Sequence, residues 1–251
     1  RDRDDLQGLS PNAIAARHRA EAFIWIARHG YTSSAIIQRL LRQAASGWAA
    51  RAERRGWLQS VVPGIGWPTR IYALTQPALE LAESVSAELL PPVELDLSRI
   101  HQALIRHNLV VQEMSLLALQ SGLASRLESE RQIAGFDRPG QKRPDAVWHL
   151  ADGRRIGVEV ELSSKWGRHL DHFVAGVVDA MSPMAGCPAR LDGFQVFSAS
   201  AALIDRYRAA FAPGAPMAIW GKPDGTGWRV VERRSVPPWV AARVEFRKLG
   251  A

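Results

Sequence analysis

Apolar residues recur at helical spacing from residue 12 onward. Ile14, Ala15, Ala22, Phe23 and Ile26 share a face, and Gly30 closes the run. Ser10 or Asn12 is placed to cap this helix, behind a charged and polar segment over 1–11 that reads as a frayed terminus. Thr32 or Ser33 opens a second, short helix through Leu41, with Ile36, Ile37, Leu40 and Leu41 inward. A third helix runs from Ala44 to Arg55 and stops at Gly56. The pattern then changes to strands over 57–62 and 70–75, joined by a Gly/Pro turn over 63–69, and a fourth helix starts near Gln76. Pro91-Pro92 cannot sit inside a helix. The stretch 84–94 therefore reads as a linker between one domain over 12–88 and another over 96–235.

Beyond the linker, Leu97, Ile100, Leu104, Leu109, Val110, Met114 and Leu117 predict one long helix from Asp96 to about Gly122, capped by Asp96 or Ser98. Residues 126–134 read as extended, and 136–142 as a basic Gly/Pro loop. Asp145–Leu150 and Ile156–Leu162 are strands joined by an Asp-Gly turn at 151–154. A helix over 166–181, capped by Ser163 or Ser164, precedes a strand at 193–198 and a helix at 200–211. Strands at 216–220 and 228–232 follow, and the tail after Ser235 reads as irregular. The order after residue 96 is α-β-β-β-α-β-α-β-β, so the chain is expected to be α+β (mixed α/β).

The chain has 251 residues and a formal net charge of +7, which favours a polyanionic partner, nucleic acid before membrane. One cysteine rules out an intrachain disulfide and a cysteine-based zinc site, and fits a reducing, cytoplasmic setting. No apolar run reaches transmembrane length. The nine Trp are read as core or interface anchors.

The candidate chemistry lies between Arg143 and Lys165. Strict alternation in the second hairpin strand puts Glu159 and Glu161 on one face and Val158, Val160 and Leu162 on the other. Asp145, at the start of the partner strand, is placed to join them, with Lys165 a few residues beyond. Clustered carboxylates repel, and hard oxygen ligands suit Mg²⁺ or Mn²⁺, so Asp145, Glu159 and Glu161 are the expected metal ligands. The plainer alternative is a capped turn and the solvated face of an edge strand.

Pro144-Asp145 followed by Glu159-Val160-Glu161 resembles the PD-(D/E)xK nuclease superfamily, with glutamate at the place of the motif lysine. The fuller string, Arg143-Pro144-Asp145-Ala146 and then Glu159 through Lys165, is similar to the replication-relaxation family of plasmid and integrative-element proteins. That resemblance implies a restriction-endonuclease-like αβββαβ domain with Asp145, Glu159, Glu161 and Lys165 as catalytic residues. It further implies that Asp145 and Glu159 hold the metal, that Glu161 is a further ligand or general base, and that Lys165 orients water or phosphate. A glutamate from the preceding helix sometimes joins such sites; Gln112, Glu113 and Glu130 are the matches.

The three helices and hairpin, with Arg55-Gly56-Trp57-Leu58 before the wing and Arg70 to Thr75 after it, resemble a winged helix-turn-helix DNA-binding domain. The resemblance implies that the third helix enters the major groove, with Ser46, Arg51, Arg54 and Arg55 exposed, while Arg39, Arg42 and Arg70 contact phosphate. Two readings stay open. One is a metal-dependent DNA endonuclease of a mobile element. The other is a non-catalytic accessory factor that binds double-stranded DNA and recruits a relaxase or replication initiator. A homodimer suits either.

Overall fold

The computed structural model describes residues 6–43, 47–64, 66–134, 140–183, 187–223 and 225–249. It is a mixed α/β chain that divides into two compact units, residues 1–122 and 123–251.

In the first unit, α1 (Pro11–His29) begins where the Ser10 hydroxyl accepts the Ala13 N–H at 3.3 Å and ends at Gly30, whose φ of +85° suits glycine. A two-residue strand β1 (Thr32–Ser33) leads into α2 (Ser34–Leu40), capped by Ser33 through the Ile36 N–H. The third helix, α3, spans Trp48–Arg54; the start expected at 44–46 lies outside the described residues. Strands β2 (Leu58–Val61) and β3 (Ile71–Leu74) pair antiparallel, and β1 joins the far side of β3, giving the order β1-β3-β2. With α4 (Gln76–Val85), these elements enclose Phe23, Ile26, Ile37, Leu41, Leu58 and Leu74.

The long helix expected over 96–122 is shorter. Asp96 accepts both the backbone N–H of Ser98 (2.9 Å) and its hydroxyl (2.6 Å), which closes a single 3-10 turn over Leu97–Arg99. A second such turn follows, and the α-helix α5 is Ile105–Ser121. It groups with the first unit, so the division falls after Gly122 rather than in 84–94. The reason is burial and hydrogen bonding. Leu90, Val93 and Leu95 pack on the first unit's core, and Gln59 Nε2 donates to the carbonyls of Leu74 and Leu95. On α5, buried Gln112 accepts from Trp25 Nε1 at 3.0 Å and donates to the Tyr31 carbonyl at 2.9 Å, while Asn108 donates to the Tyr31 hydroxyl. A buried polar group left unpaired is costly, and this network pairs both ends of the Gln112 amide.

The second unit is built on a five-stranded sheet. Strand β4 (Ala124–Ser129) is followed by a short helix α6 (Glu130–Ile133), opened by a Ser129/Gln132 capping box that the extended reading of 126–134 overlooked. Strands β5 (Ala146–Leu150) and β6 (Arg155–Val160) form the hairpin, turned by Asp152 and by Gly153 at φ +87°. Helix α7 (Arg168–Ala180) starts at Gly167 without a side-chain cap; Ser164 instead accepts from Trp166 Nε1. Then come β7 (Gly193–Ser198), α8 (Ala201–Ala210) capped by Ser200, and the separate hairpin β8 (Pro216–Gly221) and β9 (Arg229–Ser235).

The tail is not irregular. After a 3-10 turn over Pro238–Ala242, β10 (Val244–Lys248) lies parallel on β7. The sheet order is β10-β7-β6-β5-β4, antiparallel on the hairpin side and parallel between β6, β7 and β10. Val147, Phe194 and Val196 pack in one core with Phe173, Val174 and Val177 of α7 and with Tyr207 and Phe211. No described helix is long and apolar enough to cross a membrane.

Candidate functional site

Strand β6 is the centre of the sheet, so its carboxylates are not on a solvated edge: Glu159 is 3% exposed and Glu161 4%. The β5–β6 ladder ends with Ala146 paired to Val158; Asp145, just before β5, donates its backbone N–H to the Val158 carbonyl at 2.9 Å, and its charge acts on Glu159. The Val160 N–H donates to Asp145 Oδ2 at 2.8 Å, which fixes the aspartate against the strand end. Glu161, just past β6, donates its backbone N–H to the Phe197 carbonyl. Lys165 contacts Glu161 Oε1 and lies 3.9 Å from Glu159 Oε1. All four sequence-predicted residues of this site are thus drawn to the end of two central strands.

Three further side chains complete it. Lys142 Nζ lies 2.9 Å from Glu159 Oε1 and donates to the Arg143 carbonyl at 2.6 Å. Buried Tyr207, on α8, donates to Glu161 Oε2 at 3.2 Å, and its oxygen accepts the Lys165 backbone N–H at 3.3 Å. Glu130, one of the three helix residues matched from the sequence, sits on α6 with Arg143 at 3.3 Å and borders the same recess. The other two lie in the first unit: Gln112 is buried in the network above, and Glu113 pairs with Arg39 at 3.0 Å. The recess holds about 390 Å³ and is lined by Glu130, Lys142, Arg143, Lys165, His169 and His172.

Lys142 comes from an approach that sequence periodicity does not encode. Its backbone N–H donates to the Gly176 carbonyl in mid-α7 at 2.9 Å, and a Cβ at Gly176 would stand 2.8 Å from the Lys142 nitrogen. Tyr207 lies on the buried face of α8 with Ile204, and nothing local in the sequence signals its hydroxyl partner just past β6.

Burial pushes the Glu159 carboxyl up to about 7, and the neighbouring Asp145 charge adds to this, against the pull of Lys142 and Lys165. Burial also acts to lower Lys142, but Glu159 and Asp145 outweigh it and its ammonium is held above the ordinary range. Lys165 is lowered, by burial first, with Lys142 opposing its charge as well. Burial raises the Tyr207 phenol.

Glu159 Oε2 is buried with no hydrogen-bond partner among the described residues. A buried carboxylate oxygen in that state, with a second carboxylate nearby, suits a hard divalent cation such as Mg²⁺ or Mn²⁺. Asp145 and Glu159 would hold it, with Glu161 or the Val160 carbonyl as a further donor. No three Asp, Glu, His or Cys side chains gather as a metal-binding cluster among the described residues.

The residues expected at a nucleic-acid surface all lie on the first unit. Arg51, Arg54 and Arg55 are exposed at and just past α3, with Arg55 over the Trp57 ring at 5.3 Å. Arg70 reaches Ser60 at 2.9 Å and Glu53 at 3.4 Å. Arg39 and Arg42 line an open recess with Gln38 and Gln120. Ser46 lies outside the described residues. Neither family models nor curated proteins nor solved structures give a match to the chain.

Proposed function

We propose that this is a DNA-binding protein of a mobile genetic element, of the replication-relaxation type, acting in plasmid replication, mobilisation or conjugative transfer. In this reading the first unit is a winged helix-turn-helix that takes double-stranded DNA. The second is a PD-(D/E)xK-like domain that hydrolyses a phosphodiester with Mg²⁺ or Mn²⁺. The observation that carries it is that Asp145, bonded to the Val160 N–H, and buried Glu159 gather at the end of central strands, with Lys142 and Lys165 beside Glu159. A fold meets the cost of burying like charges most readily where function needs them.

The roles follow from position. Asp145 and Glu159 would hold the ion, which would supply a bound water of lowered pKa and charge stabilisation on a phosphoryl oxygen. Lys142, held protonated, neutralises charge at the phosphate and stands in for the lysine that Glu161 replaces. Lys165, its proton held less tightly than an ordinary lysine's, orients the water. Tyr207 and Lys165 fix Glu161.

A second reading is supported by the same ion pairs. Lys142 on Glu159 and Lys165 on Glu161 already neutralise both glutamates without a cation. The domain is then a scaffold, and the protein recruits a relaxase or replication initiator to an origin. Plasmid nicking in Mn²⁺, with calorimetry on the same samples, separates the two. Under the first reading Asp145→Ala loses Mn²⁺ binding and nicking while its duplex gel shift stays near wild type. Nicking retained by that variant removes the nuclease assignment, and wild-type protein that shifts DNA but neither binds Mn²⁺ nor nicks establishes the scaffold.

A further inference from the structure

Two tryptophans of the second unit are left largely open, Trp166 at 64% and Trp228 at 42% exposure, and each neighbours a residue that lines the recess. Trp166 follows Lys165 in the chain. Trp228, where the β8–β9 hairpin turns into β9, stands edge-on to His172 of the recess wall at 5.2 Å. Each indole carries cations: Arg168 at 4.6 Å and Lys222 at 5.1 Å from the Trp228 ring centre, and Arg206 over Trp166. A singly exposed apolar side chain is ordinary, but indoles set beside cations are the combination that single-strand sites use. Lys142, Arg143 and Lys165 line the recess, and Arg168 and Lys222 lie against Trp228, a charge set that calls for a polyanion and not an apolar peptide.

We propose that this rim is a binding site for unpaired nucleic acid, in which Trp228 and Trp166 stack exposed bases while Arg168 and Lys222 hold the backbone phosphates beside them. Duplex DNA shows a protein its base edges, since the base faces are covered by their neighbours; an indole plane finds a free base face only on an unpaired strand. Trp228 and Lys222 lie between the strands of the separate two-stranded hairpin β8–β9, outside the five-stranded sheet. The proposal rests on the nucleolytic reading above and narrows its substrate to DNA or RNA that is single-stranded, or locally opened, at the carboxylates.

The test uses the full chain in chelator, so that no cleavage is read. Fluorescence anisotropy is measured with oligo-dT and oligo-rU of about 20 nucleotides, longer than the roughly 4–16 nucleotides such sites occupy, and with a blunt duplex. Trp228→Ala is expected to weaken single-strand binding about tenfold, as loss of one stacked base does, with duplex binding unchanged. Trp228→Phe restores most of the loss. Lys222→Ser, on an exposed turn, lowers the single-strand salt slope by about one while folding as wild type. Preference for dT or rU names the natural strand. Unchanged single-strand affinity in Trp228→Ala and Lys222→Ser, or an equal loss on duplex, overturns the site. Either result stands apart from the nicking assay: if Asp145→Ala abolishes nicking and Trp228→Ala changes no affinity, the nuclease reading holds and the single-strand site falls.

Discussion

At the scale of the residue, Glu159 sets the balance of the second unit. Its carboxyl holds a proton up to about pH 7, against an ordinary value of 4.5. Between those values the native state binds more protons than the unfolded chain. The contribution of this group is therefore full below about pH 4.5 and is lost as pH rises through 7, on the order of 3 kcal/mol in all. Urea unfolding of wild type and Glu159→Gln across pH 4.5–8 checks this: the decline with pH is expected in wild type and absent in the variant. Lys142→Met leaves Glu159 Oε1 with only the more distant Lys165 ammonium, and costs about 3 kcal/mol at pH 8, as broken buried pairs do. At pH 5 the carboxyl is already protonated, and the loss is markedly smaller. Asp145, Glu159, Glu161 and Lys165 were legible because strand alternation and one hairpin turn bring them together. Lys142 was not, because three residues before Asp145 in an extended chain point to the other face. Only the turn of its backbone toward Gly176 brings it in.

At the scale of the element, α7 acts as a gauge for the site. Gly176 interrupts a helix that an alanine would otherwise favour by about 1 kcal/mol. Yet a methyl group there meets the Lys142 backbone. Gly176→Ala is thus expected to destabilise by about 1–3 kcal/mol, as overpacking does, and to raise Mn²⁺ affinity by drawing the competing Lys142 ammonium off Glu159. Thermal unfolding and calorimetry read the two effects; a variant more stable than wild type would show that the approach is slack. Elements with strong local signals, such as the Asp-Gly hairpin and the Ser200 cap, were legible. Strand β10 was signalled by Val244 and Phe246 at alternate positions, but its partner β7 lies far back in the chain and its parallel pairing leaves no local turn to announce it. Helix α5 was legible as apolar periodicity from residue 97, but the Asp96 side chain redirects the first turns.

At the scale of the whole molecule, charge is divided by task. The arginines of α3 and its flank are exposed on the first unit, while the second buries the two glutamates Glu159 and Glu161. If Arg39, Arg42 and Arg70 meet phosphate, each alanine variant lowers duplex affinity across all sequences and reduces the salt slope by about one, read by titration between 50 and 200 mM salt. An unchanged slope would move the duplex surface elsewhere. The two-unit plan was legible from the proline pair, but its division was not, since Gln59, Glu88 and Gln112 tie 86–121 to the first unit through contacts distant in sequence.

The parts of the site differ in how far apart they lie along the chain. Lys142, Asp145, Glu159, Glu161 and Lys165 belong to one hairpin and its flanks, whereas the cover over the glutamates comes from β7 and from Tyr207 on α8. Hairpins close early and distant pairings late. The energetic cost of shutting two carboxylates away from water is thus expected to fall late in folding, when the last strands and α8 dock. Substitutions at Glu159 and Tyr207 should accordingly alter the rate at which the native protein opens and leave the rate of folding almost untouched.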